Sequence, residues 1–320
     1  MSSLGELRTM AVNARKKRGG IAVKEKTPDN LAGHLFLAPW FIGILGFTII
    51  PMIASLYFSF TSYNLLKSPL TNPPKWIGLK NYQDMFASAE FWNSFRVTVQ
   101  FVVVSVPLQL AFALGLAIIL DKGMKGLTFY RSVFYLPSLM GGSVAISILW
   151  RQVFGKNGIV NAFLALFGID APGWIGHPAY ALWTIIILHI WTFGSPMVIF
   201  LAGLRQIPEM YYEAATVDGA SKWRQFTKIT MPLLTPIIFF NLVLQIIFAF
   251  QTFTQAYVVS GGTGGPDDST MFYTLYLYRK GFLDYRMGYA SAMAWFLLVV
   301  IGVFTVVNFW LSKYWVHYDD

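Results

Sequence analysis

Residues 97–120, VTVQFVVVSVPLQLAFALGLAIIL, hold no Asp, Glu, Lys or Arg. A charge at mid-bilayer is costly, and a helix needs about 20 apolar residues to cross the hydrocarbon, so the stretch reads as a membrane-spanning helix. A membrane β-strand would instead show about 10 residues of alternating polarity. Phe101-Val102-Val103-Val104 is continuously apolar, as is Ile185-Ile186-Ile187-Leu188 further on, which rejects a β-barrel.

The same test finds five more charge-free runs of at least 19 residues: 30–66, 132–150, 171–204, 229–266 and 287–312. Six transmembrane helices are therefore expected, near 35–60, 97–120, 131–153, 179–202, 233–258 and 288–312, in an all-α membrane protein. A further run, 157–169, is 13 residues long, too short to span, and is expected at the interface. Composition agrees: 56% of residues are hydrophobic and 12% charged, against about 25% charged in a soluble domain. This argues against a cytosolic enzyme or a nucleic-acid binder. The net charge of +9 reads as an orientation signal, because Lys and Arg concentrate in cytoplasmic loops. With no cysteine there is no disulfide or thiolate site.

Fifteen basic residues fall on the side of the termini and nine on the other, so both termini are expected in the cytoplasm. Residues 1–30 read as a basic cytoplasmic tail, span one as an uncleaved anchor, and 31–320 as one transmembrane domain. Pro39, Pro51, Pro107, Pro137, Pro196, Pro236 and Gly141-Gly142 punctuate the spans. Ordinary helix packing and hinges of a moving transporter both account for them.

Between spans four and five, residues 203–236 read GLRQIPEMYYEAATVDGASKWRQFTKITMPLLTP. Pro208 and Glu209 suit a helix start, and Met210–Val217 can form a short helix. Asp218-Gly219 signals a turn. Ser221 can cap a second helix, Lys222 to Ile229, ending before Pro232. Ala214, Ala215 and Gly219 leave a low-relief surface that another protein could approach, ringed by Glu213, Asp218, Lys222 and Arg224. An amphipathic hairpin parked at the interface is the other reading.

Glu213-Ala214-Ala215, Gly219 and Pro232 resemble the EAA loop of ABC importer permeases, here spanning residues 205–232. Ile199 to Leu204 with Ile207-Pro208, Gly78-Leu79 with Asn81-Tyr82, Phe134-Tyr135-Leu136-Pro137, Leu149-Trp150 and Ser260 to Pro266 resemble the carbohydrate-importing branch, in particular the maltose-type first permease subunit. That subunit's extra N-terminal spans and large periplasmic insertion have no counterpart here. The resemblance, over roughly residues 35–312, implies a bacterial inner-membrane protein. It also implies a pore shared with a second permease subunit, two ATP-binding subunits that carry ATP and magnesium, and an extracytoplasmic sugar-binding protein. It makes Glu213, Ala214, Ala215, Asp218 and Gly219 the ATPase-coupling residues. The chain as a whole also resembles alginate-oligosaccharide importer permeases. Nine basic against six acidic residues in the outer loops permit an acidic sugar without requiring one.

Within span five, Asn241, Gln245, Phe248, Thr252 and Gln255 recur at spacings of four and three, one helix face. They read either as interhelical glue or as a sugar path, with amides for hydroxyls and a ring face for stacking. Gln100, Gln109 and Ser195 are weaker candidates. No phosphate-binding GxxxxGK[ST] loop is present, so ATP chemistry is expected in a separate chain and no catalytic, metal or cofactor site in this one. His34, His177, His189 and His317 are scattered, and His189 reads as a polar packing residue. A secondary carrier or channel for small polar solutes is the alternative. The lack of an acidic residue inside any span weighs against it.

Overall fold

The computed structural model describes residues 30–67, 72–123 and 126–317. Residues 1–29 of the expected basic tail lie outside them. The chain divides into two units between Ala54 and Ser55.

In the first unit, α1 (His34–Ser59, which runs on into the second unit) is helical apart from a π turn at Leu45–Ile49. There the Ile50 N–H donates to the Leu45 carbonyl five residues back. The register shift falls directly before Pro51, which has no N–H to give and whose ring would crowd the carbonyl of Phe47. Leu35, Phe36, Ile42 and Phe47 are all exposed. A helix apolar all round is stable only in hydrocarbon or against a partner.

In the second unit, α2 (Lys80–Ala87) leads into α3 (Ala89–Asp121). Helix α3 begins eight residues before the expected span, because Glu90 and Arg96 interrupt the uncharged run without interrupting the helix. Ser88 caps it, its Oγ accepting from the Phe91 N–H at 3.3 Å. One face of α3, including Phe91, Phe101, Val106, Ala113 and Leu120, is buried and forms the centre of the core. Then follow α4 (Leu127–Met140), α5 (Val144–Val153) and α6 (Ile159–Ala165). Next come α7 (Pro178–Trp191), α8 (Gly194–Leu204) and α9 (Glu209–Val217). The chain closes with α10 (Lys222–Phe250), α11 (Thr254–Val259), α12 (Tyr273–Tyr278) and α13 (Met287–Trp315).

Among the described residues the fold is helical with no strand, only an isolated bridge between Thr61 and Trp76. Among the described residues four helices are long and apolar enough to cross a membrane, α1, α3, α10 and α13, and up to six spans result if two bent pairs each count as one. Spans three to five, expected as single helices near 131–153, 179–202 and 233–258, are each interrupted. Span three bends by 95° between α4 and α5, and span four by 41° between α7 and α8. Span five ends at Phe250 rather than 258, and α11 starts anew at Thr254.

The hairpin helix expected to stop before Pro232 does not stop. A π turn at Phe226–Thr230 lets the Met231 N–H reach the Phe226 carbonyl, and the helix continues through Pro232 into span five. The bends in spans three and four fall at Gly141 to Ser143 and Thr192-Phe193, and the break after span five at Gln251 to Phe253, none of them at a proline.

Several side chains tie the ends of the spans. Asn81 Nδ2 donates to the Ser59 and Thr61 carbonyls at 2.8 and 2.9 Å. Lys280, half-buried, meets Asp284 at 3.0 Å and Glu90 at 3.4 Å. Burial opposes its charge, but these two carboxylates outweigh that and hold the ammonium's pKa above its ordinary value.

Gly194 lets α8 lie against the backbone of α4. A Cβ there would collide with the Phe134 carbonyl oxygen and come within 2.8 Å of Tyr135 Cα. Backbone cannot yield as a side-chain end can, so Gly194→Val is expected to destabilise the folded chain by about 1–3 kcal/mol. Thermal denaturation in detergent, followed by fluorescence-detected size exclusion, checks this.

Candidate functional site

The three breaks converge on one cavity of about 510 Å³. Its wall comes from α3 (Gln109), the α4–α5 break (Ser138, Gly142), the α7–α8 break (His189, Thr192, Ser195) and the end of span five (Gln245, Phe248 and Gln251 to Gln255). The lining is amide, hydroxyl, aromatic and imidazole, with no Asp, Glu, Lys or Arg.

The placement has a physical cause. A helix break leaves backbone N–H and C=O groups unpaired, and at membrane depth irregular backbone is tolerated only where protein buries it or where it lines a cavity. Side chains from neighbouring helices meet that demand. Gln109 Nε2 donates to the carbonyls of His189 and Thr192 at 3.0 and 3.1 Å and to Thr192 Oγ1 at 3.0 Å. Ser138 Oγ donates to the Thr192 carbonyl at 2.9 Å and accepts from the Ser195 N–H at 2.8 Å. Across the cavity, Gln255 Nε2 reaches the Gly141 carbonyl at 3.2 Å. Gly141 itself has no room for a Cβ, which would run into Thr192 Cγ2.

Gln109→Leu removes the donor that serves three acceptors at the α7–α8 break. It is expected to cost about 1–3 kcal/mol and to raise thermolysin sensitivity near Thr192. Limited proteolysis compared with Gln109→Glu and Gln109→Asn checks this.

Of the five residues expected on one helix face, Gln245, Phe248, Thr252 and Gln255 line the cavity. They do so although only the first two belong to α10; Thr252 sits in the break and Gln255 on α11. Asn241 is not among the lining residues. It is fully buried, its Nδ2 donates to the Ile237 carbonyl at 3.2 Å, and its Oδ1 has no partner. Gln109 and Ser195 do reach the cavity, whereas Gln100 is exposed on α3 away from it.

Ser138, Thr192 and Gln251 were not anticipated from sequence. Their only signal was the adjacency of hydroxyl and amide residues to Gly-Gly or to span ends. His189 packs edge-on to Phe101 at 5.2 Å, and its Nε2 is buried without a partner. No cluster of three or more His, Cys, Asp or Glu able to hold a metal occurs among the described residues.

A second assembly lies in α9 and the turn after it. Gly219 adopts φ +75°. The Ala220 N–H donates to the Ala215 carbonyl at 2.8 Å and the Gly219 N–H to the Thr216 carbonyl at 3.0 Å, a complete Schellman cap. A Cβ on Gly219 would meet nothing within 4 Å, so the glycine answers a backbone requirement and the space above it is open. Ser221 Oγ accepts from the Arg224 N–H, as its sequence position suggests. Gln225 Nε2 donates to Thr216 Oγ1 at 2.9 Å, and the Tyr212 hydroxyl meets Thr230 Oγ1 at 2.8 Å, fixing α9 to the start of α10. Glu213, Ala214, Asp218 and Gly219 are exposed and Ala215 is partly so. Beside them Met210, Val217 and Trp223 present apolar surface.

A profile described as "binding-protein-dependent transport system inner membrane component" matches residues 98–316. The chain is 55% identical over 294 residues to the probable ABC transporter permease protein YesP of Bacillus subtilis, covering 91% of this chain and 94% of that one. It is 32% identical over 296 residues to the trehalose/maltose transport system permease protein MalF of Thermococcus litoralis, covering 91% and 97%. Among solved structures, a bacterial ABC transporter involved in the import of the acidic polysaccharide alginate superposes with a TM-score of 0.75 at 23% identity, over 89% of this chain and 96% of that one. At that identity the likeness speaks for the fold alone.

Proposed function

The chain belongs to the family of binding-protein-dependent transport system inner membrane components, and from that premise we propose that it is the pore-forming permease subunit of an ATP-driven importer of sugars or oligosaccharides. The observation that carries the proposal is the uncharged cavity at the meeting of three helix breaks. Amides and hydroxyls can exchange hydrogen bonds with sugar hydroxyls as those leave water. Phe248 and Phe253 supply ring faces for the apolar faces of a pyranose. Gln245, Phe248, Thr252 and Gln255 are the proposed pathway residues. Asn241, although on the same helix, holds the packing behind them. Phe248 is 58% exposed, which fits a half-site that a second permease subunit completes.

The proposed working cycle is as follows. An extracytoplasmic binding protein delivers the sugar, and two ATP-binding subunits bind ATP and magnesium on the cytoplasmic face. The α9–turn segment, with Glu213, Ala214, Ala215, Asp218 and Gly219, sits in a cleft of one of them and transmits its closure. Both termini and this segment lie in the cytoplasm, as the distribution of Lys and Arg supports. The Schellman cap and the Gln225 and Tyr212 bonds make the segment stiff enough to transmit a displacement to span five, with which it is continuous through α10.

Uptake of radiolabelled neutral and uronic oligosaccharides by proteoliposomes of the assembled complex tests the proposal. Uptake that needs ATP inside the system and the binding protein outside supports it. Uptake by this chain alone down a solute or ion gradient favours a secondary carrier and overturns it.

A further inference from the structure

Between α5 and α7 the chain forms a compact hairpin, 154–177, that the transport cycle above does not use. Its helix α6 and the turn after it expose Ile159, Phe163, Leu166, Phe167 and Ile169, with Leu166 80% and Ile159 73% accessible. A concave side is lined by Lys156, Asn157, Asn161 and Asp170 together with Ile169 and small residues, and Ile159, Phe163, Leu166 and Phe167 are not among its lining. The element is therefore amphipathic, with no charge among its large apolar side chains.

Three observations choose its surroundings. The first is depth. Helix α4 has 14 residues, a rise of about 21 Å, and the hydrocarbon is about 30 Å thick. With α4 along the bilayer normal, α5, bent by 95° from it, adds little depth, and the hairpin is reached before the far edge of the hydrocarbon.

The second is backbone satisfaction. The N–H groups of Phe154 and Gly155 donate back to the Trp150 and Gln152 carbonyls of α5, and those of Gly158 and of Leu166 to Ile169 donate within the hairpin. Asn161 Nδ2 serves three otherwise open carbonyls, of Lys156, Ala171 and Pro172, at 3.0 to 3.2 Å. Trp174 Nε1 in turn donates to Asn161 Oδ1 at 2.6 Å. With these bonds made, the hairpin can lie at the boundary of headgroups and acyl chains without leaving those carbonyls unpaired.

The third is attachment. Trp150 Nε1 donates to the Thr184 carbonyl at 2.8 Å, fixing α5 to α7, so the hairpin is held where the spans place it.

We propose that residues 159–169 form a foot lying in the bilayer leaflet opposite the termini, with the apolar face among the acyl chains and the Lys156–Asp170 side toward the headgroups. The foot anchors the outer arm of the broken third span, and with it the α4–α5 wall of the cavity, to the leaflet. A soluble binding protein that docks and leaves is a poor occupant for a face this apolar and uncharged. The inference rests on the membrane-spanning reading but not on which solute is carried.

The chain has no cysteine, so single-cysteine variants label at one site in this chain, and the emission of the complex without the introduced cysteine is subtracted. Phe163→Cys and Leu166→Cys on the apolar face, and Asn157→Cys and Asp170→Cys on the polar side, are labelled with an NBD maleimide in the assembled complex. The complex is then reconstituted with or without doxyl-labelled phosphatidylcholine. All four side chains are exposed, so folding does not hinge on them. The expected result is blue-shifted emission at 163 and 166 that loses most of its intensity with doxyl lipid, and little loss at 157 and 170. Equal quenching at all four sites, or none at 163 and 166, overturns the foot. So does a blue shift at 163 or 166 that needs the binding protein or is insensitive to doxyl lipid, since protein then covers the face. Uptake measured on the same samples separates the two readings: normal transport with an unquenched face sinks the foot and leaves the permease standing.

Discussion

Gln245→Leu is expected to lower the rate of sugar uptake by roughly ten- to a hundredfold, while Asn241→Leu, one helical turn away, leaves it within about twofold. Gln245 is nearly buried in α10 and turns its amide into the cavity. No hydrogen bond within the chain engages that amide among the described residues, so its donors and acceptor are open to a solute. Losing one or two such bonds to a passing hydroxyl is worth about 1–3 kcal/mol, which is the stated range at tenfold per 1.4 kcal/mol. Asn241 has the same chemistry without access. Its Oδ1 is buried with no partner, and leucine of similar size removes that unsatisfied group. Initial uptake rates in proteoliposomes, normalised to the amount of assembled complex, measure both. Equal loss in the two variants would mean that the stripe acts as helix glue.

The second large effect concerns the turn after α9. Glu213→Lys is expected to reduce uptake by more than about tenfold while leaving the complex's basal ATP hydrolysis in place, because reversing an exposed charge alters what α9 can dock against. The fold of the turn does not depend on that carboxylate, which makes no bond within the chain among the described residues; the Schellman cap and Gln225 hold it. Gly219 separates the two components. Gly219→Asn keeps access to the left-handed region and is expected to transport near normally. Gly219→Val forces a β-branched residue to φ +75°, loses the cap and is expected to uncouple. ATPase stimulation by the loaded binding protein, measured beside uptake, checks both. Retained stimulation and uptake in Glu213→Lys would remove this segment from the coupling path.

The candidate spans were legible because uncharged length is what hydrocarbon demands, and the runs at 97–120 and 287–312 lie within α3 and α13. The breaks were not legible by that criterion, since Gly141-Gly142-Ser143 and Gln251-Thr252-Phe253 are as free of charge as the helices around them. For span three a local signal existed. Gly-Gly followed by a serine is a stop and a restart, and Ser143 Oγ does cap α5 by accepting from the Ile146 N–H at 3.3 Å. The stop after Phe250 has neither glycine nor proline. It depends on contacts from elsewhere in the chain, such as the Thr274 hydroxyl donating to the Thr252 carbonyl.

The polar stripe was read as one helix face and works as a cavity wall for a different reason: the chain breaks and the next helix returns to the same side. The hairpin's first helix, its turn and the Ser221 cap followed from local chemistry. The continuation through Pro232 did not, because a π turn is invisible to a rule that treats proline as a stop.

The central claim is that sugar crosses through the cavity where the three helix breaks meet. A density map of the assembled complex, trapped with loaded binding protein and a non-hydrolysable ATP analogue, tests it most directly. The account predicts sugar density within hydrogen-bonding reach of Gln245 and beside the ring of Phe248. Clear sugar density elsewhere in the membrane, with this cavity closed by side chains, would contradict it.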